Sequence, residues 1–197
     1  MIAYKGFTRD LTARLGRGTY QFVPGETVKE EASQTCRTGF HCCENPFECL
    51  NHYSLMCGNR FWQVEAAGSI DEDSEERIAC TEMTLIKELS LKELAGHGMT
   101  YIIRHPMRAK WRHSGIGICV DEDRAEGDCR DYIAIARGPK PKVKGVEGSI
   151  LGLILEPEPG NIVSARLFVP DRQQAGRWFT IDAERNLLEV QDEAEGD

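Results

Sequence analysis

The 197-residue sequence predicts an α+β fold, with a compact N-terminal α+β module followed by a β-rich C-terminal module. Three observations support this fold class. Strand-like apolar segments separated by turn residues fill residues 1–65, apolar residues in a helical pattern cover Cys80–Leu94, and short apolar segments with glycines recur in the last third. We therefore assign residues 1–112 to an α+β domain, residues 113–190 to a β-rich domain and residues 191–197 to an acidic tail.

The N-terminal module is expected to begin with a strand and to contain one short helix. Met1–Phe7 is apolar at its start and predicts the first strand. Asn45, which is followed by proline, is a good helix start, because asparagine caps a helix and proline fits its first turn. The helix is expected over Phe47–Tyr53, where apolar residues are three positions apart. Phe61–Glu65 predicts another strand, which Gly68 is expected to close.

The middle of the chain is predicted to be helical. Cys80–Leu94 has apolar residues at positions 83, 85, 86, 89, 91 and 94, and Gly96 is suited to end this helix. The segment that follows, His97–Arg112, is interrupted by Pro106 and carries no clear pattern of its own.

The C-terminal module is predicted from a short apolar pattern that repeats. Ile116–Ile118, Ile133–Ile135 and Ile150–Leu153 recur at intervals of 17 residues. Short strands joined by glycine-bearing corners are what a β-solenoid requires, because each rung covers the edge of the rung before it. An antiparallel meander fits two intervals equally well, so the solenoid-like form and the meander both stay open. Val163–Val169 and Trp178–Val190 are expected to add strands.

The charge and hydropathy of the chain exclude several classes of protein. Its net charge of −8 makes it an acidic protein, whereas general nucleic-acid binders are basic, so we expect no general binding to nucleic acid. Its longest clean apolar stretch, around Ile150–Leu155, is far shorter than the roughly 20 residues that span a bilayer. The first ten residues become charged too early for a secretory signal. We therefore expect a cytoplasmic protein without membrane contact, and its oligomeric state stays open.

Positive charge is concentrated in a basic island that is a candidate binding site. The island is formed by Arg104, Arg108, Lys110, Trp111 and Arg112. Interleaved aromatic and basic side chains can stack on nucleotides and pair with phosphates. The alternative is an ordinary solvated face with a packed tryptophan.

A group of thiols and histidines is the other candidate site. Cys36, His41, Cys43 and Cys49 have zinc-ligand chemistry, but their spacings match no standard zinc module. Free thiols without a metal are therefore the first expectation, and a zinc-stabilised interaction domain is an alternative. His41 is the best single candidate for chemistry, because it precedes a capped helix and lies near Cys43, whose pKa a helix N-terminus would lower.

Two sequence blocks resemble an uncharacterised family of bacteriophage and prophage proteins. Tyr4–Phe7 reads YKGF and Cys36–Pro46 reads CRTGFHCCENP, and many members of that family carry YKGF and C-x-x-GFH-x-CENP. Ile133–Gly138, a block within the glycine-rich C-terminal segment, is also similar. The resemblance implies a phage-type cytoplasmic protein that binds a host macromolecule, with a host protein as partner; interference with host defence is one form of such binding.

A second resemblance, to ADP-ribosyltransferases, implies an alternative function. Those enzymes have an early strand with an aromatic or basic residue before glycine, and later a Gly-aromatic strand that leads into a helix ending in tyrosine. Tyr4–Gly6, Gly39–His41 and Asn45–Tyr53 resemble these elements. The resemblance implies an enzyme that uses NAD, with catalytic Lys5, His41 and Tyr53. The catalytic glutamate of those enzymes has no clear counterpart, and Glu147 is the best placed. For the phage-type binding protein, in contrast, no cofactor is expected.

Overall fold

The computed structural model of the protein describes residues 1–15, 18–72 and 77–191. The chain divides into two compact units, Met1–Leu94 and Ala95–Asp197. This division lies earlier in the chain than the boundary expected after residue 112, and the expected domain limits stay a prediction. The acidic tail expected over residues 191–197 lies, apart from its first residue, outside the described residues.

The N-terminal unit is built from antiparallel strands. Its described strands are β1 (Ile2–Phe7), β2 (Thr12–Leu15), β3 (Gly18–Gln21), β4 (Thr27–Lys29), β5 (Phe40–Cys43), β6 (Arg60–Glu72) and β7 (Arg77–Leu89). β2 pairs with β3, and the other strands form a sheet in the order β4-β7-β5-β1-β6. Because β6 also pairs with β7, the strands β7, β5, β1 and β6 close into a ring. The expected first strand and the strand at Phe61–Glu65 are confirmed.

An aromatic cluster forms the core of this unit. The ring centroids of Phe7 and Phe22 are 5.0 Å apart, and those of Phe22 and Phe40 are 5.7 Å apart, each pair in an edge-to-face arrangement. All three side chains are fully buried. Burial of a large aromatic side chain is among the largest favourable contributions to a core. These three rings therefore hold together β1, β5 and the segment that follows β3.

The predicted helix start at Asn45 is confirmed, and the helix is of the 3₁₀ type. It spans Pro46–Asn51, and the Asn45 side chain accepts a hydrogen bond of 3.0 Å from the backbone N–H of Phe47. It therefore ends before the expected limit at Tyr53. A second 3₁₀ helix covers Leu55–Cys57.

The expectation that Gly68 closes a strand is wrong. β6 continues to Glu72, and Gly68 lies inside it with φ of +75°. The register between β6 and β7 shifts between Ala67 and Ile70, so that the glycine marks a bulge and not an end.

The helix predicted over Cys80–Leu94 is wrong. β7 occupies Arg77–Leu89, and the helix α1 covers Leu91–Arg104, so that Gly96 lies within the helix. In β7 the buried residues Met83 and Leu85 alternate with half-buried or exposed neighbours, which is the period of a strand. The predicted helix thus combined residues of two elements, the strand β7 and the first residues of α1.

The C-terminal unit is also rich in strands. Its described strands are β8 (His113–Gly115), β9 (Ile118–Gly127), β10 (Ile133–Gly145), β11 (Ile150–Leu155), β12 (Ser164–Phe168), β13 (Trp178–Ile181) and β14 (Leu187–Val190). They form one sheet with a central path in the order β12-β11-β10-β13-β14, and β9 joins it by pairing with β10 and β8. The β-rich character of this half is thereby confirmed.

Three consecutive strands of this sheet run parallel. Ile133 of β10 is paired with Ile118 of β9 on one side and with Ile150 of β11 on the other. The interval of 17 residues between Ile133 and Ile150 thus brings the chain back beside itself. Seventeen extended residues would reach about 55 Å, whereas neighbouring strands lie about 5 Å apart, so the chain must turn within each interval. Ile116 precedes β9 and is exposed. The strands from β12 onward pair antiparallel, and a regular solenoid stays a prediction.

We predict that Ile135→Ala costs about 2–5 kcal/mol of unfolding free energy, as for other buried large-to-small changes. Ile135 is fully buried on β10, beside Gly152 of β11. The matched change Lys140→Ala, at an exposed position of the same strand, should cost less than about 0.5 kcal/mol. Urea denaturation of both variants tests this, and equal midpoints would show that the parallel strands do not form a packed core.

Candidate functional site

A cleft of about 750 Å³ in the N-terminal unit is the main candidate site. It lies where β1, β5 and the first 3₁₀ helix come together. Its lining includes Tyr4, Lys5, His41 and Tyr53. The three residues of the alternative catalytic hypothesis, Lys5 of β1, His41 of β5 and Tyr53 after the first 3₁₀ helix, thus line one cleft.

The amine of Lys5 lies in a largely apolar environment that solvates its positive charge poorly. Its Nζ donates a hydrogen bond to the backbone carbonyl of His41 and lies 5.5 Å and 5.9 Å from the ring centroids of Phe7 and Phe22. Burial lowers the pKa of Lys5, and the nearby thiols, above all Cys42, only partly oppose that shift. In the described part of the chain no Asp or Glu forms an ion pair with this amine. The amine therefore lacks a full counter-charge.

His41 holds the loop before β5. Its Nε2 accepts a hydrogen bond of 3.0 Å from the backbone N–H of Cys36, which adopts a positive φ of 62°. Burial and the charge of Lys5 lower the pKa of His41, while carbonyl contacts to Gly39 and Gln34 oppose the shift. The ring is therefore neutral near pH 7, and its accepting nitrogen is already occupied.

Tyr53 packs against the backbone of β1 at Gly6. A Cβ added at Gly6 would lie 2.5 Å from Cδ2 and 2.8 Å from Cγ of Tyr53. This close approach explains in physical terms why the YKGF block has glycine at this position.

The glycine of the second sequence block, Gly39, has a backbone reason as well. It adopts φ of +85°, and an added Cβ would lie 2.8 Å from the carbonyl oxygen of Cys80 and 3.0 Å from Cα of Ser33. Only glycine fits both the dihedral angle and the contact. Gly39 thereby lets the chain enter β5 beside β7 and directs His41 toward the cleft.

The thiols near Lys5 form pairs rather than a metal site. Hydrogen bonds to Cys80 and Cys43, together with burial, raise the pKa of Cys42 and of Cys49 well above the ordinary value. Cys36, the remaining thiol of the zinc alternative, is exposed. Within residues 1–15, 18–72 and 77–191 no group of three or more His, Cys, Asp or Glu side chains is arranged to hold a metal ion. The geometry therefore does not support the zinc alternative.

A second cleft, of about 550 Å³, lies in the C-terminal unit and takes in part of the basic island. Arg108, Trp111 and Arg112 line it. Arg104, the last residue of α1, and Lys110 are exposed and do not line the cleft. The structure thus brings together three of the five residues of the island.

The sequence reasoning missed the buried ion pair at this cleft. Arg137 is only 3% exposed, and its Nε and Nη2 donate bidentate hydrogen bonds of 2.5 Å and 2.7 Å to Glu156. Nη2 also donates to the carbonyl of Pro106 at 2.6 Å. Burial acts to raise the pKa of Glu156, but hydrogen bonds from Arg137 and from the N–H of Gly160 outweigh it, so the pKa lies below its ordinary value. In sequence, Arg137 is one cation of another basic run.

Comparison with known proteins gives one match. Residues 1–97 match the model of a family described as "Domain of unknown function (DUF7666)". This match takes in the N-terminal unit with its cleft and the first turns of α1. Neither the curated proteins nor the solved structures include a match to the chain. In the described residues every helix is too short or too polar to traverse a lipid bilayer. The phage origin implied by the motifs stays a prediction.

We predict that Gly6→Ala destabilises the N-terminal unit by about 1–3 kcal/mol, because the new methyl group overlaps the Tyr53 ring. In a Tyr53→Ala background the same change should cost less than about 0.5 kcal/mol. Gly96→Ala, inside α1 and with 3.8 Å to the nearest atom, is the control and should stabilise by about 0.5–1 kcal/mol. Thermal unfolding of the variants measures all three effects. Equal costs in both backgrounds would contradict the contact.

We also predict that acidification destabilises the protein in part through His41. Its pKa is lowered in the folded state, so the unfolded chain binds more protons, and stability falls as the pH decreases through the ordinary histidine range. His41→Gln, which keeps an acceptor for the Cys36 N–H, should lose less stability between about pH 7 and pH 5. Burial also lowers the pKa of His113, so the same measurement on His113→Gln shows how much of the acid sensitivity comes from this second histidine. Chemical denaturation at both pH values is the measurement; a loss equal to that of the wild type would contradict a neutral His41.

Proposed function

We propose that the N-terminal unit is a binding module that holds a negatively charged, nucleotide-like small molecule in the cleft beside Lys5. One observation carries this proposal. The amine of Lys5 lines the cleft without a carboxylate partner in the described residues, and its pKa is lowered by burial. An anion in the cleft supplies the missing counter-charge.

The electrostatics of the cleft support an anionic ligand. Besides Lys5, the lining includes Arg37 and Arg77, and none of the described residues that line it is Asp or Glu. This local excess of positive charge contrasts with the net charge of −8 of the whole chain. A partly desolvated cation attracts an anion more strongly than an exposed one does, because the surrounding dielectric constant is lower.

The size and the other side chains of the cleft favour a ligand that also carries a ring. A volume of about 750 Å³ is within the range of pockets that bind small molecules and cofactors. Tyr4 and Tyr53 contribute aromatic surface, and Thr8, Thr12 and Thr19 contribute hydroxyl groups. Aromatic rings beside cations and hydroxyls are suited to a base or nicotinamide ring with its phosphates.

ADP-ribosyl transfer from NAD is the second candidate function. The observation in its favour is that Lys5, His41 and Tyr53, far apart in sequence, line one cleft. The resemblance also implies a catalytic glutamate, and the described cleft lining contains no carboxylate. Glu147 belongs to the other unit. We therefore include NAD as a ligand to be tested and propose no transfer reaction. Binding of a host macromolecule, including interference with host defence, stays a prediction.

The proposal predicts that NAD or ADP-ribose at millimolar concentration raises the melting temperature of the protein. A ligand at about 100 times its Kd stabilises by about 2.7 kcal/mol through mass action. Lys5→Met should abolish the shift while leaving the free protein at least as stable as the wild type, because it removes a poorly solvated charge. Lys29→Met, at an exposed position of β4, is the matched control and should keep the shift.

The pH dependence of the free protein gives an independent check. Because the folded-state pKa of Lys5 is lowered, the unfolded chain binds more protons above it, and stability rises with pH up to the ordinary lysine range. Lys5→Met should remove this rise. Absence of any shift with NAD, ADP-ribose and ATP, or a full shift in Lys5→Met, would reject the binding proposal.

A further inference from the structure

The cleft of the C-terminal unit contains a buried cation with incomplete hydrogen bonding. Nη1 of Arg137 is buried and has no hydrogen-bond partner among the described residues. A guanidinium terminal nitrogen carries two N–H groups, and leaving a charged donor unsatisfied costs more than leaving a neutral one. Nε1 of Trp62, which also has no partner in the part of the chain that the structure describes, is a neutral donor. Arg137 is therefore the costlier exception.

Glu156 cannot satisfy this nitrogen. Its two carboxylate oxygens already accept from Nε and Nη2 of Arg137, and Oε1 also accepts from the N–H of Gly160 at 2.6 Å. Because the bidentate contact uses Nε and Nη2, the planar guanidinium directs Nη1 away from the carboxylate. The ion pair thus fixes the orientation of a donor that has no acceptor among the residues described.

The rest of the cleft combines cations, carboxylates and apolar side chains. Arg108 and Arg112 line it together with Glu122 and Glu156, and Arg112 forms ion pairs with Asp121 and Glu122. The ring centroid of Trp111 lies 4.8 Å from Cζ of Arg137. Met107, which also lines the cleft, is 76% exposed, and four prolines complete the apolar lining. An exposed methionine and a half-buried tryptophan beside guanidinium groups form a surface with both apolar and anion-binding character.

We propose that this cleft binds an organic anion that has one oxyanion group and an apolar body. The oxyanion accepts hydrogen bonds from Nη1 of Arg137 and pairs with Arg108 or Arg112, and the apolar body packs against Trp111 and Met107. A volume of about 550 Å³ accommodates a small molecule or the end of a peptide. Phosphate and carboxylate share the required chemistry, since both present two or more acceptor oxygens to a guanidinium.

The test uses four small probes that separate the two parts of the ligand. Phenyl phosphate and benzoate carry an oxyanion on an apolar ring, benzyl alcohol carries the ring alone, and inorganic phosphate carries the anion alone. Titration followed by tryptophan fluorescence should show saturable binding of phenyl phosphate or benzoate, and the tighter of the two identifies the oxyanion. Benzyl alcohol and inorganic phosphate should bind at least about tenfold more weakly.

Variants locate the binding. The double change Arg108→Ala and Arg112→Ala should weaken it about tenfold or more, and Trp111→Phe should remove the fluorescence change. Arg172→Ala, an exposed change in the same unit, should leave it unaffected. Arg137→Lys keeps the charge but lacks Nη1, and should lose binding where its melting temperature shows that it folds.

Several outcomes would overturn the proposal. These are no saturable binding of either anion, equal binding of benzyl alcohol, and an unchanged Kd in the Arg108 and Arg112 double variant. A fluorescence change that persists in Trp111→Phe would also place the probe elsewhere. Lys5→Met, in the other unit, should leave this binding intact, so the outcome is separate from that of the N-terminal cleft.

Discussion

The pairing of β1 on both of its edges is the constraint on which the N-terminal unit depends. β1 pairs with β6 along its whole length, from Ile2 to Phe7, and with β5 at Tyr4. Side chains alternate across a strand, so Lys5 starts on the same face as Ala3 and Phe7, both fully buried. A register slip by one residue would exchange the two faces. The strand pairing therefore decides that a lysine, and not a neighbour, projects toward the core.

The surroundings of Lys5 offset its burial only in part. Removing an ammonium from water costs several kcal/mol, even after relaxation of the protein around it. One carbonyl hydrogen bond from Nζ to His41 and ring contacts at 5.5 Å and 5.9 Å return less than that, since cation–π contacts contribute about 0.5–2 kcal/mol. Thiols are weak acceptors and add little. The desolvation of the amine prevails, which is why the pKa is lowered.

Local signals in the sequence were enough to predict some elements, whereas others depended on pairing over long distances. Asn45 and the proline after it define the 3₁₀ helix through contacts within two residues. The start of α1 has a local signal as well: Ser90 and Glu93 exchange hydrogen bonds as a capping box, a pattern visible in the sequence. The strand β7 was not predictable in this way, because its mixed apolar spacing is resolved only by its pairing with β5 and β6.

The candidate sites, like the strands and helices, depend partly on local sequence and partly on contacts over long distances in the chain. The common location of Lys5, His41 and Tyr53 was suggested by resemblance, while its cause, the contact of the Tyr53 ring with Gly6, needs the folded chain. The partner of Arg137 is 19 residues away, and only the parallel register, which sets Arg137 opposite Ile154, brings Glu156 near it. The 17-residue interval of the sequence matches this register, but it does not by itself show which side chains near the strand ends form an ion pair.

Lys5 and Arg137 differ from the surface cations of the chain in the free energy that it costs to remove them from water. Exposed pairs such as Arg60 with Glu88 contribute little and cost little, because water solvates both partners. The Arg137 pair is buried, and such a pair is often no more stabilising than apolar residues of the same volume. An unsatisfied Nη1 adds a cost of about 1–3 kcal/mol, which the contact with Trp111 offsets only in part. In each unit, a cation that the described residues compensate only in part lines the cleft: Lys5 has no carboxylate partner among them, and Nη1 of Arg137 has no acceptor. The core stability of the strands around each cleft lets the fold tolerate that cost.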